Sequence, residues 1–235
     1  MQPGTIVFYA DIACPWSHVA AHRLWTTRAR LGLENDVAFE PRAFPLELFN
    51  DRPTPKTTLD AEMPVAGGLA PGAGWKMWRR PLHEYPGTTL PALEAVQAAA
   101  MQSRRAAEQL DDALRRGFFA DNRMVHLRHE ILDIAESCAE VEAAALATAL
   151  DSGSARATVM RHKVEGESDE VRGSPHLFLA DGSDFHNPGI RMRWEGGSGG
   201  FPVIEHDDPA IYEDILGRAA GSAPGPRRVQ WTKAQ

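Results

Sequence analysis

The chain has 235 residues, 43% hydrophobic and 24% charged, with a net charge of −7. It is long enough to bury a core without disulfides or metals, and its acidic balance, with no basic groove, argues against nucleic acid as a partner. Two cysteines, Cys14 and Cys138, make no disulfide framework. No apolar run approaches the ~18 residues of a membrane span, and the first residues lack a leader pattern, so a reducing cytoplasm is the expected compartment.

Residues 6–9 form a short apolar run bounded by Gly4 and Asp11 and predict a buried strand. Residues 15–31 predict a helix, with Val19, Ala20, Arg23, Leu24 and Thr27 at helical spacing and Gly32 as its stop. Residues 37–44 alternate and predict a second strand. Residues 50–91 carry Pro53, Pro55, Pro64, Pro71, Pro81, Pro86 and Pro91, which predicts a long irregular connection. Its Trp75 and Trp78 suggest packing over the active-site face. Ala-rich residues 90–164 predict three to five helices, broken near Gly117, Asn122 and 151–154. Strands return at 176–180 and, after the Asp181-Gly182 turn, at 184–186. A closing helix is expected at 209–219, and 221–235 reads as a frayed tail.

Cys14-Pro15-Trp16-Ser17 stands at the first strand-to-helix junction. A helix start offers free backbone N–H groups and partial positive charge, which favour thiolate, the nucleophilic form. Pro15 suits the first helical position. The spacing is that of C-x-x-C with Ser17 in place of the second cysteine. Ser17 is either a hydrogen-bond donor to the Cys14 sulfur or an ordinary first-turn residue. His18, four positions on, could meet the sulfur, although a core or solvent-facing histidine is the commoner case. Cys14, His18 and His22 share a helix face but lack a further ligand in register, so no metal is expected. Trp16 is a candidate groove rim, or simply packing. Asp11 is expected to cap the turn.

Cys138 falls on an apolar stripe of a helix expected at 131–150 and reads as core, leaving a resolving role to a fold that would bring it over Cys14. His126, His129 and Glu130 lack the H-E-x-x-H spacing and read as helix surface.

The order β-α-β, helices, β-β-α carries Asp11-x-x-Cys14-Pro15-Trp16, then Pro91-Ala92-Leu93-Glu94-Ala95, then Val171-Arg172-Gly173-Ser174-Pro175. Over residues 5–50 and 88–220 this resembles the DsbA-like branch of the thioredoxin superfamily, most of all the cytoplasmic FrnE-type proteins. The resemblance implies an α/β thioredoxin-like domain, discontinuous over 1–50 and 165–220. An irregular connection at 51–90 and an inserted helical domain at 91–164 separate its halves. It implies that Pro175 is the cis-proline facing the active site and that Ser174 docks a substrate or thiol cofactor, beside Pro15 and Trp16.

The expected function is that of a thiol–disulfide oxidoreductase or disulfide isomerase acting through the single nucleophile Cys14, with Ser17. Ser17 departs from the two-cysteine pattern, so an outside thiol must release Cys14. The alternative is a transferase or isomerase using a low-molecular-weight thiol, similar to kappa-class glutathione transferases and 2-hydroxychromene-2-carboxylate isomerases. Ser183 and Asn187 would then help hold the thiol. A peptide-binding relative without catalysis is the third reading. No tightly bound cofactor is expected beyond a thiol such as glutathione or mycothiol. The partner is a protein or small-molecule thiol or disulfide, with no nucleic acid and no membrane, and the oligomeric state, a homodimer included, stays open.

Overall fold

The computed structural model describes residues 2, 4–168, 170–196 and 200–221. The tail expected at 221–235 lies, beyond Gly221, outside the described residues. β1 (Thr5–Ala10) is buried along its whole length, as an apolar run covered on both faces must be. α1 (Pro15–Leu31) follows and ends at Gly32, whose left-handed backbone (φ 67°) lets its N–H reach the carbonyls of Arg28 and Ala29. β2 (Ala38–Ala43) pairs parallel with β1, Thr5 opposite Ala38 and Ala10 opposite Ala43. Pro41 is tolerated in β2 because that strand is the sheet edge.

The connection expected to be irregular is largely helical at its start. After the single turn α2 (Leu46–Phe49) comes α3 (Lys56–Leu69), 14 residues with Pro64 inside it. Pro64 lies on the exposed side, while Leu59, Glu62, Met63 and Ala66 are buried. Packing of that face outweighs a proline that would otherwise end a helix.

The helical layer is α4 (Leu90–Ala100), α5 (Arg104–Phe119), α6 (Arg128–Glu136), α7 (Ala143–Ser152) and α8 (Arg156–Gly166). Ser103 caps α5 by accepting from the Ala106 N–H. The helix expected at 131–150 is two helices, because Glu142 caps a fresh start by accepting from the Ala144 and Ala145 N–H groups. Cys138 therefore sits in the turn between them, still buried, with its thiol toward the carbonyls of Gln109 and Ile134.

β3 (His176–Leu179) pairs antiparallel with β1, Tyr9 opposite His176, and β4 (Asp184–His186) pairs with β3. The sheet order is β2-β1-β3-β4. β5 (Ile190–Glu195) and β6 (Phe201–Asp207) form a separate antiparallel hairpin, an addition to the expected strands. Its signal was present: Ile190, Met192 and Trp194 alternate with Arg191, Arg193 and Glu195. α9 (Ile211–Ala219) closes the chain and packs with α1 on Ile6, Phe8, Leu177 and Leu179.

Candidate active site

Cys14 is the residue preceding the first turn of α1, with extended backbone, and Pro15 takes the first helical position. The Ser174–Pro175 peptide is cis. The β1–β3 pairing brings the loop before β3 against the loop after β1. As a result the Cys14 thiol donates to the Ser174 carbonyl at 3.2 Å. The Ser174 hydroxyl accepts from the Asp11 N–H at 2.9 Å and meets the Ser17 hydroxyl at 2.6 Å. The backbone N–H and the hydroxyl of Ser17 both act on the Cys14 sulfur in the direction that favours its anion. The structure thus gathers Cys14, Ser17, Ser174 and Pro175 around one sulfur atom.

Asp11 organises the turn below. It accepts from the N–H groups of Ala13 (2.8 Å) and Leu46 (2.9 Å) and from the Thr89 hydroxyl (3.1 Å). Its carbonyl accepts from Arg115 at 2.7 Å. Arg115 is fully buried and forms a bidentate pair with Asp111, one α5 turn earlier, at 2.8 and 3.0 Å. Its charge attracts a thiolate at Cys14. Neither Arg115 nor its carboxylate partner stood out in the sequence, where an Asp-x-x-x-Arg pair on a helix resembles any surface ion pair.

Cys14 is 4% exposed. It packs with Trp16, Val19, Ala66, Ala70 and Ala73, and the hairpin residues Ile190, Met192 and Ile204 close over the same cluster. α3 and the turn after it therefore form a cover on the sulfur. Arg23 of α1 bolts the cover down: it holds Asp207 at the end of β6 (2.7 and 2.8 Å) and the Leu69 carbonyl at the end of α3 (2.9 Å). Burial pushes the Cys14 thiol up from its ordinary value, and the Ser17 and Ser174 hydrogen bonds oppose that rise. With the cover in place, desolvation outweighs the helix start, contrary to the thiolate expected from the motif alone.

Other sequence candidates fall elsewhere. Trp16 is buried within this cluster instead of lining an open rim. His18 stacks on Phe119 at 4.7 Å, meets Trp75 edge-on at 4.8 Å and bonds the Ala73 carbonyl. Burial lowers its pKa to about 3, so it is a neutral wedge and no cation beside the sulfur. Trp75 does pack against this region, as expected. Asn187 donates its N–H to the Pro175 carbonyl at 3.1 Å and so backs the cis-peptide loop. Ser183 lies in the β3–β4 turn, bonded to Asp181, at the opposite end of β3 from Pro175. It is not part of the site. Among the described residues no cluster of three metal-ligating side chains exists, and no helix is long and apolar enough to cross a membrane.

The DSBA-like thioredoxin domain family matches residues 5–194. No curated protein sequence matches the chain. Among solved structures, a probable DsbA oxidoreductase from Streptomyces coelicolor superposes with a TM-score of 0.67 at 20% identity, covering 96% of this chain and 93% of that one. The cytosolic disulfide reductase DsbM from Pseudomonas aeruginosa gives 0.58 at 14% identity, with 92% and 95% covered. A 2-hydroxychromene-2-carboxylate isomerase gives 0.57 at 15% identity, with 77% and 87% covered.

Proposed function

We propose that this chain, which belongs to the DSBA-like thioredoxin domain family, exchanges disulfides through Cys14 alone. The observation that carries this reading is the Cys14 sulfur at the start of α1, facing the Ser174 carbonyl at 3.2 Å. The thiolate attacks one sulfur of a substrate disulfide. A Cys14–substrate disulfide forms, the substrate S–S bond breaks, and the other half leaves as a thiolate that takes a proton. Ser17 cannot resolve the intermediate, and Cys138 is turned toward the Gln109 and Ile134 carbonyls in the helical layer. A second thiol must therefore attack the substrate sulfur and return Cys14. If that thiol belongs to the substrate, the result is isomerisation. If it is a low-molecular-weight thiol such as glutathione or mycothiol, it leaves joined to the substrate sulfur as a mixed disulfide, and a second such thiol releases the reduced substrate and forms the small-thiol disulfide.

During exchange the Ser17 N–H and hydroxyl stabilise sulfur as it becomes anionic, and Ser174 with Pro175 positions the incoming chain. Two free cysteines suit a reducing compartment, and a cytoplasmic location fits the proposal. A second reading, a small-thiol-dependent isomerase or transferase, is favoured by Ser17 itself, because one hydroxyl could serve a bound thiol as well as Cys14. The likeness to 2-hydroxychromene-2-carboxylate isomerase, a fold likeness, accommodates it. The test is reduction and reshuffling of a scrambled disulfide substrate with glutathione present, comparing the native chain with Cys14→Ala. Loss of activity in the variant is expected. Full activity in Cys14→Ala would overturn the single-nucleophile mechanism and favour the small-thiol reading.

A further inference from the structure

The loop that faces the sulfur, residues 172–175, is held from behind by His176, the first residue of β3. His176 is fully buried and stands opposite Tyr9 on β1 and His186 on β4. Its Nδ1 accepts from the Arg172 N–H at 3.1 Å. Its Nε2 meets the Asp184 carboxylate at 2.8 Å, and the Arg172 guanidinium donates to the same carboxylate oxygen. A backbone N–H can only donate, so Nδ1 carries no proton and Nε2 carries one toward Asp184. Burying a polar ring in a sheet costs desolvation that an aliphatic residue avoids. Here both ring nitrogens are engaged, one of them on the loop beside the sulfur.

From His176 a continuous set of contacts runs to Cys14. The ring ties down the Arg172 amide, where the loop begins, and the loop ends at His176 itself, so one side chain closes both ends. Gly173 lies against His186: a Cβ there would stand 3.0 Å from the His186 Nε2. The Asn187 N–H holds the Pro175 carbonyl at 3.1 Å. Between these anchors Ser174 receives the Cys14 thiol on its carbonyl at 3.2 Å, and its hydroxyl meets the Asp11 N–H at 2.9 Å and the Ser17 hydroxyl at 2.6 Å.

We propose that His176 is a positioning residue of the exchange reaction: by tying the Arg172 amide to the head of β3, it fixes the backbone on which Ser174 docks the substrate chain beside Cys14. This rests on the disulfide-exchange reading above. His176 acts through the loop, with Arg172, Gly173 and Ser174 between it and the sulfur. Asp184 sets the tautomer. Without an acceptor at Nε2 the ring proton can move to Nδ1, where it would confront the Arg172 N–H. The effect is selective for substrate. A disulfide within a peptide has backbone to lay along Ser174, whereas hydroxyethyl disulfide has none.

The test compares the native chain with His176→Phe, His176→Asn and Asp184→Ala. Their kcat and KM are measured on a disulfide-linked peptide pair and on hydroxyethyl disulfide, with glutathione as the resolving thiol. His176→Phe keeps a ring and loses the acceptor. It should raise KM for the peptide disulfide by about tenfold, as expected for a stranded backbone donor, with a smaller loss on hydroxyethyl disulfide. His176→Asn, whose Oδ1 can stand in for Nδ1, should recover most of the deficit. Asp184→Ala removes an exposed side chain and should show the same split in smaller measure. Equal losses on both substrates, or equal losses in the Phe and Asn variants, would mean that His176 serves the sheet alone and would overturn the proposal. Nitrogen NMR of the native imidazole should show a neutral ring protonated at Nε2; an imidazolium or an Nδ1–H ring overturns it even if no variant folds. Amide hydrogen exchange reads the loop without any substrate. In His176→Phe the Arg172, Asp11 and Asn187 amides should lose protection while the β1–β3 ladder keeps its own, and retained protection at Asp11 and Asn187 overturns the proposal. If the native chain exchanges neither disulfide yet these amides respond as described, the functional reading fails and the loop-holding role of His176 stands.

Discussion

Asp207→Ala should unbolt the cover and expose Cys14 without unfolding the chain. Arg23 makes two bonds to the Asp207 carboxylate, at 2.7 and 2.8 Å, and its remaining bond goes to the Leu69 carbonyl. Hydrogen bonds to charged groups contribute about 1.5–3 kcal/mol each, and stranding a buried partner costs more. Asp207 is 24% exposed in its side chain, so water recovers part of the loss; about 2–3 kcal/mol is a reasonable net. At about 1.4 kcal/mol per tenfold, opening becomes roughly 30- to 150-fold more frequent.

Alkylation of Cys14 at fixed pH should quicken by about that factor, provided modification proceeds from the opened cover. Cys138, 7% exposed in the helical layer, is the internal control because it has no contact with the bolt. Selective acceleration at Cys14 is the expected result. An unchanged Cys14 rate would mean that the sulfur is reached with α3 in place. Equal acceleration at both cysteines would mean that Asp207 serves global stability alone. Either outcome would refute the cover argument.

Ser17→Ala should raise the thiol pKa and slow exchange at neutral pH by roughly three- to tenfold, since a hydroxyl that favours the sulfur anion is lost. Arg115→Met should lower the stability measured by urea unfolding by about 3–5 kcal/mol, because it strands Asp111 in the core. Adding Asp111→Leu should restore much of that stability but not the cation that favours a thiolate at Cys14. Burial holds His18 at about 3 and His162 at about 4, below the ~6.5 of an unfolded histidine. The unfolded chain therefore binds more protons in that window, and stability should fall as pH drops below about 6.5. Glu62 has the opposite sign: at about 7 when folded against about 4.3 unfolded, it costs stability as pH rises between those values. Glu62→Gln should thus be more stable than the native chain at about pH 8, by about 2–3 kcal/mol, as read from urea midpoints.

Much of the frame was legible from local pattern. β1, α1, β3 and β4 follow from an apolar run, helical spacing ended by Gly32, and a turn pair. Cys14, Ser17, Ser174 and Pro175 were found by motif, and the structure brings them together. Two elements escaped for opposite reasons. α3 was hidden by Pro64 and the glycines at 67 and 68, because propensity argues against a helix that tertiary burial nonetheless stabilises. The β5–β6 hairpin carries a plain alternation in β5, but β6 lacks one: Pro202 and the polar run Glu205-His206-Asp207 interrupt it. The polar composition around Ser183 marks a turn, and composition does not say which end of a strand a turn occupies.

The sequence by itself determined the attacking atom, the helix start beneath it and the lack of a second motif cysteine, because each is a matter of residue type at short spacing. Only the tertiary structure decided how that atom is held. The burial that raises the Cys14 thiol, the Arg23 bolt and the Arg115 cation below come from α1, α3, α5 and β6. Desolvation and charge coupling depend on distance through space, and residues separated by 104 positions, as Asp11 and Arg115 are, have no local pattern that records it.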